Sequence, residues 1–289
     1  MYKSLDELII EEDRTQTPLW KLVMLDDCSE RDVAEETAFK EMKAMYIAMK
    51  DSLTGYEADL KSNSGLVGGE AALLEKYIAG GNSLCGDFIS SVMVKALKIA
   101  ESNACMKRIV AAPTAGSCGV VPAVFLSIQE QKGFSDDKMT EALYVAAGVG
   151  GVIANRASLA GAEGGCQAEI GAASSMAAAG LTYLLGGAAR KQANAAALAL
   201  KNLLGLACDP VAGLVEIPCV KRNVCGAVNA VTSAELTMAG ITSRIPADEV
   251  FDAMSSIGKN MSDTIKETGL GGLAATATGC SIKESLVMN

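Results

Sequence analysis

The stretch Ile170-Gly-Ala-Ala-Ser-Ser-Met-Ala-Ala-Ala-Gly-Leu-Thr-Tyr-Leu-Leu-Gly-Gly-Ala-Ala189 carries no charge over a length that reaches a membrane span. Its composition points elsewhere. Ala, Gly and Ser contribute little to transfer into lipid, so the run does not read as a membrane span. A second uncharged run, Ile109–Gln129, is interrupted by Pro113 and Pro122. The bias extends along the chain: 46 Ala and 29 Gly fill 75 of 289 positions, and only 4% of residues are aromatic. Small side chains let helices approach closely. The expected fold is therefore mainly α, a compact Gly/Ala-rich multi-helix domain over residues 1–289. A charged helical layer at about 1–53 lies at its edge.

Outward from that run, the helix signals are regular. Lys191–Leu204 is Ala-rich and free of proline. Ser135, followed by Asp136 and Asp137, is an N-cap with acids that suit the helix dipole. Pro246 with Asp248 and Glu249 opens another helix. A helix is expected to begin at Ser83 and run to about Ser102. Ser29, with Asp32 in the capping-box position, predicts a helix through Leu53, because Met42, Met45, Tyr46, Met49 and Leu53 fall on one face. Lys61–Gly69 reads as a turn. Lys107–Ala112 and Val215–Val220 are the two strand candidates. Gly148-Val-Gly-Gly151 and Gly186-Gly187 match neither G-x-G-x-x-G nor a P-loop, and read as close helix packing.

Charge and residue inventory narrow the chemistry. Lys+Arg 25 against Asp+Glu 34 gives −9, and there is no histidine. A Ser-His-Asp or Cys-His hydrolase is excluded, as are zinc sites that need imidazole. A pI near 4.8 argues against a nucleic-acid partner. Met1–Arg14 has early acids and no long apolar stretch, so no secretion signal is expected there and the expected location is cytoplasmic.

Nine cysteines, with no C-x-x-C, do not read as a disulfide scaffold or a zinc ribbon. Cys28, Cys85, Cys105 and Cys280 read as packing residues, and Cys118 lies in a loop-like stretch. Cys166, Cys208 and Cys219 differ, each beside a Gly or Pro breaker and near polar residues. Three soft thiolates without imidazole suit a [4Fe–4S] cluster with one open iron. With Cys225 as a fourth ligand the same inventory becomes a closed electron-transfer centre, and with none it is a set of buried small hydrophobes.

Four segments together resemble the α subunit of the iron–sulfur-dependent L-serine dehydratases. They are Val110–Pro122 (Val-Ala-Ala-Pro-Thr-Ala-Gly-Ser-Cys-Gly-Val-Val-Pro), Gly161–Gly171, Leu203–Asn223 and Glu267–Thr276. The resemblance covers about residues 29–279. Ala160 stands where Ser or His is usual, and Ala277 where Pro is usual. It implies a mainly helical fold, and it places Cys166, Cys208 and Cys219 on the three cluster-ligand positions. It also implies L-serine as substrate, with weaker action on L-threonine allowed, and conversion to pyruvate and ammonia with the open iron as Lewis acid on the hydroxyl. Cys225 is then not a ligand, since a fourth thiolate would block the substrate position.

Under that reading Arg222 and Asn223 are candidates for the substrate carboxylate, and Thr114 and Ser117 for hydroxyl donors. Glu163 or Glu169 is the candidate acid/base, with Lys221 a weaker one. The regulatory portion and its Ser-Ser-Ser-His-Thr motif are missing from this sequence, which implies a separate β subunit; α–α association stays open. Two other readings keep the cluster: a cysteine desulfidase, or a non-enzymatic redox protein with four protein ligands.

Overall fold

In the computed structural model, which describes residues 2–287, the run at 170–189 closes a π-helical turn (Gln167–Gly171) and forms the helix Ala172–Leu184. Every residue of that helix except Tyr183 is buried. In chain order the helices are α1 (Leu5–Thr15), α2 (Leu19–Arg31), α3 (Glu35–Thr54), α4 (Glu70–Ala79), α5 (Gly86–Ala104), α6 (Val120–Lys132) and α7 (Asp136–Arg156). They continue as α8 (Gly161–Gly164), α9 (Ala172–Leu184), α10 (Ala189–Lys201), α11 (Cys219–Met238), α12 (Ala247–Asn260) and α13 (Ala277–Val287).

α9 is the axis of the molecule, contacted by α6, α7, α10 and α11. Its small residues permit this. A Cβ added at Gly180 would stand 2.4 Å from Phe125 Cζ and 3.0 Å from the Ala142 carbonyl. The two buried serine hydroxyls of α9 are satisfied across its helix contacts: Ser174 Oγ donates to Gly226 O at 2.8 Å and Ser175 Oγ to Ala196 O at 3.0 Å. Burying an unpaired hydroxyl would cost about 1–3 kcal/mol, so serine is tolerated here because the facing carbonyls accept.

The charged N-terminal helices lie on the outside, with α2 and α3 against α7. Leu5, Leu8, Tyr46 and Met49 join the same apolar cluster as α6, α7 and α9. Ser135 caps α7 as expected, accepting from Lys138 N at 3.2 Å. Pro246 precedes α12, and Gly55 closes α3.

Three expectations change. The helix drawn from Ser29 to Leu53 is two helices: Ser29 lies inside α2, and Asp32 closes it in the left-handed region (φ 53) with its N–H on Cys28 O. Asp tolerates that conformation, so the residue read as a capping partner is a stop. The helix placed from Ser83 starts at Gly86, while Ser83 Oγ accepts from Cys85 N. Neither strand candidate forms a strand: among the described residues there is a single isolated bridge, Cys208 with Lys266. β-branched residues make a strand only where a partner offers a ladder, and Val215–Val220 leads directly into α11. No helix among the described residues is long and apolar enough to cross a membrane.

Candidate active site

Three chain segments converge beneath α9. Cys166 follows Gly165 (φ 74) at the head of the π-helical turn. Cys208 lies in the connection after α10, its N–H on Ile265 O (2.9 Å) and its carbonyl accepting from Glu267 N (2.7 Å). Cys219 is the first residue of α11. Gln167, fully buried, ties the Cys166 turn to α12 and to the connection that carries Cys208: Nε2 donates to Gly164 O and Met254 O, and Oε1 accepts from Gly205 N. A side-chain amide suits this task because it donates and accepts at once.

All three cysteines are buried free thiols. Burial pushes Cys166 up to about 11 and Cys219 up to about 12, and Cys166 raises Cys219 electrostatically. Cys208 is raised as well, by burial first and then by Glu169, Cys166, Glu267 and Cys219. Cys208 thus feels both of the other sulfurs. A cluster of thiols rather than thiolates is what desolvation dictates in the metal-free chain.

Glu169 reaches this neighbourhood. Its Oε2 lies 3.8 Å from Cys208 Sγ, and its Oε1 accepts from Thr114 Oγ1 at 2.7 Å. Burial raises its pKa, against the hydrogen bond from Thr114. Gly161 leaves room for the contact, since a Cβ there would be 2.8 Å from Glu169 Oε2 and 3.0 Å from Cys208 Sγ. Glu163, by contrast, is exposed and lines a surface cleft with Arg156, Ser158, Met254 and Lys259.

Arg222 is the cation of the site. Nη1 donates to Ala207 O (2.7 Å) and Nη2 to Asp209 Oδ1 (3.0 Å), and the guanidinium acts electrostatically on Cys166. Burial opposes its charge, yet Cys166 and Asp209 outweigh that and raise its pKa. Asn223 spends its amide on backbone: Nδ2 donates to Gly116 O and Cys219 O, and Oδ1 accepts from Gly119 N. It thereby holds the Thr114–Ser117 turn, itself closed by a Thr114/Ser117 capping box, against α11. Lys221 is exposed and paired with Glu70 at 2.6 Å.

Sequence reasoning set Glu169 beside Glu163 without choosing, and passed over Asp209 and Gln167. Each neighbours a cysteine, but adjacency alone says nothing about which face a side chain takes.

The remaining cysteines separate by exposure. Cys85, Cys225 and Cys280 are exposed; Cys118 is buried, with its Sγ 3.9 Å from Ile99 O, and burial pushes it up to about 12. In the metal-free protein under anaerobic conditions, iodoacetamide is expected to label Cys85, Cys225 and Cys280 at least about tenfold faster than Cys166, Cys208 and Cys219, because the thiolate is the nucleophile. Peptide mass spectrometry over time reads this; fast labelling of the three buried thiols would contradict their placement.

The family model described as "Serine dehydratase alpha chain" matches residues 5–274. The chain belongs to the serine dehydratase alpha-chain family. It is 43% identical over 286 residues to the "Probable L-serine dehydratase, alpha chain" of Bacillus subtilis (strain 168), covering 99% of this chain and 95% of that one. It is 40% identical over 271 residues to the "L-serine dehydratase, alpha chain" of Peptoniphilus asaccharolyticus, covering 93% and 92%. The "L-serine dehydratase" of Helicobacter pylori (strain ATCC 700392 / 26695) is 42% identical over 206 residues, which make up 70% of this chain but 45% of that protein. The residues matched by the family model include all three thiol segments and the Thr114–Ser117 turn.

Proposed function

We propose that this chain is the catalytic α subunit of an L-serine dehydratase, converting L-serine to pyruvate and ammonia, with Cys166, Cys208 and Cys219 holding a [4Fe–4S] cluster. The observation that carries the reading is the convergence of three buried thiols with Arg222 and Glu169, in a chain whose relatives are named L-serine dehydratases.

Among the described residues, no three His, Cys, Asp or Glu side chains are disposed to hold one metal ion. The donors here are all sulfur, and soft thiolates without imidazole suit an iron–sulfur cluster, which Cys166, Cys208 and Cys219 would hold. When bound, such a cluster supplies a Lewis acid for the departing hydroxyl.

The chain's own groups have separate tasks. Arg222 opposes the negative charge that builds up when three thiols become thiolates, and it draws a substrate carboxylate toward the site. Thr114 holds Glu169 by Oε1 and leaves Oε2 facing the thiols, where it takes up or returns a proton. Asn223 and Ser117 keep the 114–117 turn in place. Loss of water from serine gives an enamine that tautomerises to an imine, and water then releases ammonia and pyruvate without further catalysis.

The relatives named alpha chain, and the longer Helicobacter pylori relative of which the match makes up only 45%, support a β partner as the source of the remaining portion. The cytosol, which keeps thiols reduced, is the compartment this chemistry needs.

The deciding measurement is anaerobic iron and sulfide content together with serine-dependent pyruvate formation, with and without the β chain. Iron-loaded protein is expected to form pyruvate, with at least about tenfold more in the mixture, the scale of one good orienting interaction. Equal activity without β overturns the partner assignment. Sulfide from cysteine with no pyruvate from serine favours a desulfidase, and iron-free, colourless protein overturns the cluster.

A further inference from the structure

Asp209 directly follows Cys208 and is 5% exposed. Its two oxygens have different partners: Oδ1 accepts from Arg222 Nη2 at 3.0 Å, and Oδ2 accepts from Leu273 N at 2.8 Å. Leu273 belongs to segment 262–276, whose backbone also brackets Cys208 through Ile265 O and Glu267 N. This segment turns through the left-handed region at Glu267, Gly269 and Gly272. At Gly272 the need for glycine is doubled, since φ is +56 and a Cβ would stand 2.4 Å from Asp209 Oδ2.

We propose that Asp209 is a positioning residue that fastens segment 262–276 to the Cys208 connection with one oxygen while holding the Arg222 guanidinium in place with the other. A carboxylate suits this because it has two acceptors and no donor. An amide has one acceptor, so Asp209→Asn must turn a donor toward either Leu273 N–H or Arg222. The alternative is an ordinary buried ion pair that contributes to stability alone. That alternative leaves unexplained why the second oxygen is spent on a backbone amide 64 residues away. It also leaves unexplained why glycine occupies the point of closest approach.

The inference adds detail to the serine dehydratase reading but is tested independently of it, on the metal-free protein by amide hydrogen exchange. Asp209→Asn is expected to speed exchange across 262–276 about tenfold, the effect of one charge-assisted hydrogen bond, while α9 keeps its protection. Gly272→Ala, which keeps the carboxylate and Arg222, is expected to do the same. On iron-loaded protein, Asp209→Asn is expected to alter the sulfur-to-iron absorption bands through Arg222 and Cys166, and Gly272→Ala to leave them unchanged. Unchanged exchange at 262–276 in either variant overturns the proposal. So does protection lost uniformly along the chain, or a spectrum in Asp209→Asn identical to the parent. Should Asp209→Asn fail to fold, Gly272→Ala decides on exchange alone. Because exchange needs neither cluster nor serine, its failure is distinct from failure of the dehydratase reading.

Discussion

Cys208→Ser is expected to abolish stable cluster binding and to lower kcat/KM for serine by about 10³-fold or more, the equivalent of about 4 kcal/mol of Lewis-acid stabilisation. The substitution changes one atom. Serine oxygen is a harder donor than sulfur and deprotonates far less readily, so it is a poor replacement on a soft iron. Cys208 is the sharpest of the three to test, because its Sγ also lies 3.8 Å from Glu169 Oε2 and its backbone is fixed by segment 262–276. The packing cost of exchanging a buried thiol for a hydroxyl is about 1 kcal/mol, so the fold is expected to survive and circular dichroism to match the parent. Cys225→Ser is the control. Cys225 is exposed on α11, and its substitution is expected to leave iron content and activity within about twofold, as for surface changes in general. Anaerobic iron and sulfide analysis, run beside the pyruvate assay, reads both variants. Full iron with full activity in Cys208→Ser would remove this residue from the ligand set, and equal losses in Cys225→Ser would return the fourth-ligand reading.

What the sequence made legible, and what it hid, follows from the range of the interactions. Close packing of buried helices was legible because Ala and Gly dominate the apolar residues, and the uncharged run at 170–189 supplies the buried helix Ala172–Leu184. The N-cap at Ser135 was legible because capping is local, spanning three residues. The break between α2 and α3 was hidden, since Asp32 is as good a stop in the left-handed region as it is a capping partner, and only the tertiary fold chooses. The strand candidates failed for the same reason, because pairing requires a second segment, and the single bridge among the described residues joins Cys208 to Lys266, outside both candidates. At the site, the residue types near each cysteine were visible but their directions were not. Glu163 and Glu169 are equally close to Cys166 in sequence; the π-helical turn carries Glu169 inward, while α8 leaves Glu163 in solvent. Asn223, expected near the substrate, has its amide on Gly116, Gly119 and Cys219, a role set by segments more than a hundred residues away.

Gly180→Ala is expected to destabilise the metal-free protein by about 2 kcal/mol, even though alanine is the better helix former by about 1 kcal/mol. Two effects compete here. Propensity favours the substitution in an isolated helix. Packing opposes it, because the new methyl would lie 2.4 Å from Phe125 Cζ and 3.0 Å from the backbone carbonyl of Ala142. Neither neighbour yields easily: Phe125 is 0% exposed, and the carbonyl belongs to α7. Overpacking of a rigid core costs about 3 kcal/mol at its upper end, so the packing effect wins. Thermal unfolding is expected to shift down by about 4 °C. A double-mutant cycle identifies the cause. Phe125→Leu removes Cζ and opens space, so the pair Gly180→Ala/Phe125→Leu is expected to be less destabilised than the sum of the two by about 1 kcal/mol or more. Strict additivity would mean that the ring is not what resists the methyl. A Gly180→Ala protein as stable as the parent would mean that α9 is not packed as closely as its small residues imply. The prediction thus tests the fold at its axis: glycine is kept at 180 because α6 and α7 already occupy the space a side chain would need.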